Sequence, residues 1–328
     1  MINLPKKLAV VGAGGWGVNH VRVASTLKAL GYINDVVVMD IDENRARYVS
    51  KIYGAKYTTS FEDILRDDEI DYVIVATPTP LHYNQAKKIL EAGKNVLVEK
   101  PMTENSRQAL DLVDEARRNN RLLMTGFLLR YSPAVEYMKN NYVTNRVTLG
   151  DVLLIYSKRV NPWPIRKGDV GVIRDLAIHD IDLTMYIFDS TPSKVYASGK
   201  KFNAPYEVIS VVHVDYDSKY GTYSLLVEAS WITPYKFRRL EITATKAIIF
   251  LDLINHTIEI YSDTGISKPK IARKEPLFEQ DKNFVLASQG KENPKVTGVD
   301  GYRALLVCDM ALEAMEKGKI LEIPQFEV

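Results

Sequence analysis

Three clusters of residues in this chain carry chemistry. Glu99-Lys100-Pro101 follows Asn95-Val96-Leu97-Val98, an apolar run that predicts a buried strand. A lysine there stands at the carboxyl end of a strand, where open α/β sheets hold their ligands. The proline prevents the chain from continuing as a central strand. Lys100 is therefore a candidate catalytic ammonium at the rim of a ligand crevice, with Glu99 beside it on the cofactor side. Asp175 and His179 lie four residues apart in Gly171-Val172-Ile173-Arg174-Asp175-Leu176-Ala177-Ile178-His179-Asp180-Ile181-Asp182, which predicts one face of a helix. A carboxylate beside an imidazole suits hydroxyl binding and proton transfer. The same spacing also describes an ordinary helix pair with a satisfied histidine, and Lys100 tips the reading toward catalysis. Asp180 and Asp182 read as solvated or capping residues. Arg130, Arg159 and Arg166 fall near this segment, and three arginines around one pocket suit a phosphorylated or carboxylated substrate. Surface charge is the other reading of each.

The elements that must position these groups differ between the two parts of the chain. Apolar runs at 8–11, 36–39, 72–76, 96–98 and 122–124 alternate with helical stretches at 17–30, 43–52, 81–92 and 106–119. Such alternation predicts a parallel sheet with helices on both faces. Ser60-Phe61-Glu62-Asp63 fits a capping box opening another short helix. Beyond about Gly126 strand-like runs follow one another at 151–159, 194–201, 208–216, 222–231, 239–243, 247–251 and 257–261. These predict a mostly antiparallel sheet, interrupted by a helix at 173–188. Helices at 278–288 and 301–317 close the chain. The reading is α/β with two domains, 1–125 and 126–328, the second an α+β domain.

The third cluster is Gly12-Ala13-Gly14-Gly15-Trp16-Gly17, which matches G-x-G-x-x-G between a strand and a helix. Gly12 permits the tight turn, Gly14 lets the backbone approach a pyrophosphate, and Gly17 allows helix and sheet to pack closely. The helix N-terminus then offers unpaired N–H groups to the phosphates. Asp40 ends the second strand, where a carboxylate accepts from the ribose hydroxyls. It repels a 2′-phosphate, and Ile41 follows it rather than a cation, so NAD is favoured over NADP. Arg45 and Arg47 are expected on the solvent face of the next helix, with Asp42 as its N-cap. Ala76-Thr77-Pro78 is held extended over the cofactor by its prolines. His82, in the first turn of the following helix, completes the cofactor-side group.

The 328 residues balance 43 Lys+Arg against 41 Asp+Glu, a net charge of +2 that argues against nucleic-acid or membrane-surface binding. Cys308 is the single cysteine, so neither an internal disulfide nor a thiolate metal cluster is expected. No metal site is read elsewhere. The chain runs from Met1 into a strand without the apolar length of a signal peptide, and no run reaches the length of a membrane span. A cytoplasmic protein is expected.

In this order, Gly12–Gly17, Asp40, Ala76-Thr77-Pro78, Glu99-Lys100-Pro101 and the Gly171, Asp175, His179 series resemble the glucose-fructose oxidoreductase / inositol dehydrogenase family over nearly the whole chain. The resemblance implies a Rossmann domain joined to an α+β domain whose open sheet mediates homodimers or homotetramers. It implies an NAD(P)-dependent sugar or polyol dehydrogenase using Lys100, Asp175 and His179. Arg159-Val160-Asn161-Pro162-Trp163-Pro164-Ile165-Arg166, Arg130-Tyr131-Ser132-Pro133 and Glu275-Pro276-Leu277 are similar to the nucleotide-sugar branch of that family. That branch implies oxidation of the 3-hydroxyl of a UDP-sugar such as UDP-N-acetylglucosamine. A free sugar, sugar phosphate or inositol is the alternative substrate, and a non-catalytic NAD-binding regulator is the alternative of another class. Whether His179 or Lys100 takes the proton stays open at this level.

Overall fold

The computed structural model describes residues 6–142, 149–163, 169–218 and 221–326. Contacts divide the chain into two units, Met1–Phe127 with Leu277–Tyr302, and Leu128–Pro276 with Arg303–Val328. The sequence had placed all of 126–328 in one domain; residues 277–302 instead group with the first unit. The reason is side-chain packing that local sequence does not display. Helix α8 (Pro276–Ser288) buries Leu277, Phe284 and Val285, and Phe284 meets Tyr72 edge-on at 6.3 Å. Gln289 then donates to the Tyr72 hydroxyl at 3.1 Å.

The first unit is a six-stranded sheet in the order β3-β2-β1-β4-β5-β6. Its strands are β1 (Lys7–Val11), β2 (Val36–Met39), β3 (Lys56–Thr58), β4 (Ile70–Val75), β5 (Asn95–Val98) and β6 (Leu123–Thr125), paired in parallel throughout. β2 and β5 are buried along their whole length, as unbroken apolar runs in a sheet covered on both faces must be. Between the strands run α1 (Gly15–Ala29), α2 (Glu43–Tyr53), α3 (Phe61–Arg66), α4 (Thr79–Glu91) and α5 (Ser106–Arg118). Asp42 caps α2 by accepting from the Arg45 N–H at 3.1 Å, as expected. The capping box at Ser60 does not form: Ser60 is the N-cap of α3 but its hydroxyl makes no cap bond, and its N–H donates to the Thr58 hydroxyl. β3 escaped the sequence reading because it is three residues long and mostly exposed.

The second unit holds a nine-stranded sheet in the order β14-β13-β12-β11-β7-β10-β9-β8-β15. Its members are β7 (Val152–Val160), β8 (Thr191–Lys201), β9 (Glu207–Ser218), β10 (Gly221–Ser230), β11 (Phe237–Ala244), β12 (Ala247–Asp252), β13 (Thr257–Ser262), β14 (Gly265–Ser267) and β15 (Leu321–Glu322). Only β7 and β10 pair in parallel; the other neighbours are antiparallel. Burial alternates along the strands, so one face is packed and the other is open. α6 (Pro133–Tyr142), a π-helical turn (Ile173–Ala177) and α7 (Ile178–Phe188) cover the packed face, and α9 (Gly298–Lys317) precedes the last strand. α7 buries Ile178, Ile181, Leu183 and Ile187. No helix among the described residues is long and apolar enough to cross a membrane.

Candidate active site

In the first unit the glycine loop has the geometry its motif requires. Gly12 has φ +93°, and a Cβ there would stand 2.8 Å from the Ala76 carbonyl oxygen. A Cβ on Gly17 would lie 1.7 Å from the Gly12 carbonyl oxygen, so helix α1 reaches the strand only without a side chain there. Gly14 and Gly15 are different: nothing in the protein lies within 4 Å of a Cβ at either. Gly14 is the N-cap of α1, without a side-chain cap and with no acidic residue in the first turn. Open space and uncapped N–H groups fit a pyrophosphate at this helix end. Gly14→Ala is therefore expected to leave the melting temperature unchanged while weakening NAD by about tenfold, the effect of one lost close contact of about 1.4 kcal/mol. Calorimetric titration with NAD, beside a thermal melt, reads both.

Asp40 is 5% exposed and anchors the loop: its Oδ2 accepts the Ala13 N–H at 2.8 Å and its Oδ1 accepts the Asp42 N–H at 2.9 Å. Arg45 is exposed, as expected, and also reaches back to the loop. Its Nη1 lies 3.2 Å from both Asp40 oxygens and its Nη2 3.2 Å from Asp42, because α2 turns it back toward its own N-cap. Arg47 does face outward, paired with Glu43 and stacked on Tyr57. Ile41 and Trp16 are exposed beside the loop. Pro78 is the extended N-cap of α4, and the Thr77 hydroxyl donates to the Gln85 side-chain Oε1 at 2.6 Å. His82 faces inward rather than toward a ligand: its Nδ1 lies 3.0 Å from the Pro101 carbonyl oxygen and its Nε2 2.8 Å from that of Thr77. It ties the Thr77 loop to the Lys100 loop.

Glu99 is also reassigned. It is 5% exposed, its Oε2 accepts the Lys100 N–H at 3.1 Å, and its Oε1 accepts from His20 Nε2 at 3.1 Å. The other ring nitrogen of His20 donates to Asp281 at 2.8 Å. Burial opposes a charge on this ring, but the Asp281 carboxylate and then Glu99 outweigh it and hold the imidazolium up to about 10. Glu99 thus clamps the backbone at Lys100, and both of its carboxylate oxygens are engaged within the protein rather than turned to a cofactor. Sequence reasoning missed His20 and Asp281. A histidine in the buried stripe Gly17, His20, Val21, Ala24 was the available signal. Its partner, 261 residues away, left none.

In the second unit, Asp175 lies in the π-helical turn and His179 in the first turn of α7. The π-turn shifts the face expected from their spacing, since such turns bond i to i+5. The Asp175 carboxylate accepts from the Trp231 indole N–H at 3.2 Å. Gly171 precedes the turn because a Cβ there would fall 2.1 Å from the Glu207 carboxylate, which itself accepts the Ile173 N–H at 3.0 Å. The arginines separate. Arg130 is buried and bidentate to Asp182, at 3.0 and 2.6 Å, with its guanidinium over Tyr186. It is a core ion pair, not a substrate ligand. Arg159 is bidentate to Asp180 at 2.7 Å on both bonds, but its Nη1 has no acceptor among the described residues. Asp180 and Asp182 are therefore buried partners, not solvated caps. Arg166 lies outside the described residues. Among the described residues no group of three or more His, Cys, Asp or Glu could hold a metal ion.

Residues 6–127 match an oxidoreductase family described as having an NAD-binding Rossmann fold, and residues 144–250 match the GFO/IDH/MocA C-terminal domain. The chain belongs to the GFO/IDH/MocA oxidoreductase family. Its first domain is the NAD-binding Rossmann domain of that family, as the glycine loop and Asp40 indicated. Among relatives, an inositol 2-dehydrogenase of Rhodococcus jostii is 26% identical over 343 residues, covering 95% of this chain and 91% of that protein. A UDP-N-acetylglucosamine 3-dehydrogenase of Acidithiobacillus ferrooxidans is 26% identical over 320 residues, covering 94% and 97%. The solved structure of the latter enzyme superposes with a TM-score of 0.83 at 25% identity, over 97% of this chain and 99% of that one.

Proposed function

We infer that this GFO/IDH/MocA oxidoreductase oxidises a secondary hydroxyl of a sugar, and that its substrate is a UDP-sugar such as UDP-N-acetylglucosamine, oxidised at the 3-hydroxyl. The observation that carries the substrate reading is the end-to-end likeness, in sequence and backbone, to the Acidithiobacillus enzyme. NAD, when bound, supplies the hydride acceptor. His179 takes the hydroxyl proton as the hydride leaves carbon. Lys100 donates a hydrogen bond to the same oxygen and stabilises its developing negative charge. Asp175, steadied by the Trp231 indole, orients the hydroxyl. Glu99, held by His20, fixes the backbone from which Lys100 projects.

The equal identity to an inositol 2-dehydrogenase supports a free polyol as the second reading. Initial rates of NADH formation, compared across UDP-N-acetylglucosamine, glucose and myo-inositol, separate the two. The expected result is a kcat/KM for the UDP-sugar at least about a hundredfold above either polyol, as buried charge contacts to the nucleotide would give. A higher value for inositol overturns the substrate reading, and NADH formation with any of them rules out a non-catalytic regulator. The same reading assigns the open face of the nine-stranded sheet, where Leu154, Tyr196, Val211 and Ile248 are exposed, to contact with a second copy of the chain. Light scattering should give the mass of a dimer or tetramer; a monomer at micromolar concentration contradicts it.

A further inference from the structure

The packed face of the nine-stranded sheet holds two arginines with buried nitrogens that find no acceptor among the described residues. β7 and β11 are antiparallel, and their register sets Arg238 directly opposite Arg159. Arg238 shares its strand face with Leu240 and Ile242, both buried, whereas Arg239 on the other face lies over the Phe250 ring at 3.9 Å. Both Arg159 and Arg238 are therefore turned to the side covered by the π-helical turn and α7. Asp180 takes Nε and Nη2 of Arg159. The buried Nη1 of Arg159 and the buried Nε of Arg238 have no acceptor among the described residues.

The two guanidiniums repel each other. Burial, then the neighbouring Arg159, pushes the Arg238 guanidinium down to about 10, with Asp180 and Asp175 acting the other way. Lys236 is lowered as well, first by Arg238, then by burial and by Arg159. Arg159 and Arg238 face Asp180 and Asp175, Asp180 is already bidentate to Arg159, and Lys236 stands exposed at the edge of the pair. Buried N–H groups are normally satisfied, and like charges held together repel. An anion accepts from both orphaned guanidinium nitrogens and also offsets the repulsion between them.

We propose that Arg238, Arg159 and Lys236 form an oxyanion subsite, within electrostatic reach of Asp175, that receives a phosphate or carboxylate group of the substrate. The proposal rests on the reading of Asp175 and His179 as substrate-binding residues, and it adds Arg238 and Lys236, which no motif singled out. Arg159 remains in the substrate group, now as a donor whose Nη1 has no acceptor among the described residues. Arg130 is excluded because Asp182 consumes it.

The test is calorimetric titration of the NAD-saturated protein with UDP, glucuronate and myo-inositol, for wild type, Arg238→Gln and Lys236→Met. Wild type should bind at least one of the two anions, and Arg238→Gln should weaken that anion by about tenfold or more, the scale of a lost charged hydrogen bond. Lys236→Met should weaken it less, by an amount that shrinks in high salt. Inositol binding should not change. Loss of UDP identifies a diphosphate as the occupant, and loss of glucuronate identifies a carboxylate. The subsite is overturned if wild type binds neither anion, or if a folded Arg238→Gln binds both as wild type does. Should Arg238→Gln fail to fold, Lys236→Met, at an exposed position, decides alone, and unchanged anion affinity in it overturns the proposal. Turnover is not needed for these readings. A protein that binds the anion but oxidises no sugar nucleotide contradicts the proposed function and leaves the subsite standing.

Discussion

Lys100→Met should lower kcat for sugar oxidation by roughly 10²–10⁴-fold, the span of a lost acid–base or electrostatic group, while NAD still binds. Methionine keeps the length and apolar stem of lysine but removes the ammonium, so the fold loses little. Negative charge builds on the substrate oxygen as the hydride departs, and the variant has no donor to meet it. The defect should therefore appear in the chemical step. Single-turnover rates with a substrate deuterated at the reacting carbon should slow, with a fully expressed isotope effect. The pH profile separates the two candidate bases. If His179 takes the proton, its ionisation remains visible in the Lys100→Met profile at reduced rate. If Lys100 is the base, that limb disappears. A single-turnover rate near wild type would demote Lys100 to a positioning residue.

His20→Leu should destabilise the protein by about 3–5 kcal/mol, the usual consequence of removing one partner from a buried ion cluster. The ring is fully buried between Asp281 at 2.8 Å and Glu99 at 3.1 Å. Without it, two buried carboxyl groups lose the cation between them. The pH dependence follows from the direction of the shift. The imidazolium is held up to about 10 in the folded protein against an ordinary value of 6.5. The folded state therefore binds the proton more tightly than the unfolded chain does. Its stabilising contribution is full below about pH 6.5 and is lost as pH rises through about 10. Denaturant melts should show wild type and His20→Leu converging toward alkaline pH. Parallel curves from pH 6 to 10 would contradict a charged His20. The double variant His20→Leu with Asp281→Leu should recover part of the loss, since no charge is then stranded on the helix α8 side.

The Rossmann half was largely legible because its signals are local. An unbroken apolar run, a glycine loop and a carboxylate ending the second strand lie within the first 40 residues, and physical necessity at Gly12 and Gly17 explains the pattern. The second half was legible as a strand series, since Val208, Ser210, Val212 and Val214 alternate inward with a period of two. Short β3, β14 and β15 carried too few residues to show a period. The errors concern charged groups whose partners are distant in sequence. Asp180 and Asp182 looked solvated because Arg159 and Arg130, their partners, lie 21 and 52 residues away. Arg45 is exposed as expected, but its pairing with Asp40 was not legible, because α2 begins two residues beyond the Asp40–Ile41 corner, which no periodicity describes. Glu99 looked like a cofactor ligand because His20 and Asp281 come from two other helices. Strand faces did contain one unused clue: Ile155, Ser157 and Arg159 share the packed face of β7, a period of two that marks Arg159 as buried.

The most direct measurement uses UDP-N-acetylglucosamine deuterated at carbon 3, incubated with the protein and NAD and followed by mass spectrometry. The expected result is deuterium in the NADH formed, together with a 3-keto sugar nucleotide, and loss of that transfer in Lys100→Met. No deuterium in NADH from the sugar nucleotide, while myo-inositol or a free sugar reduces NAD under the same conditions, would contradict the account.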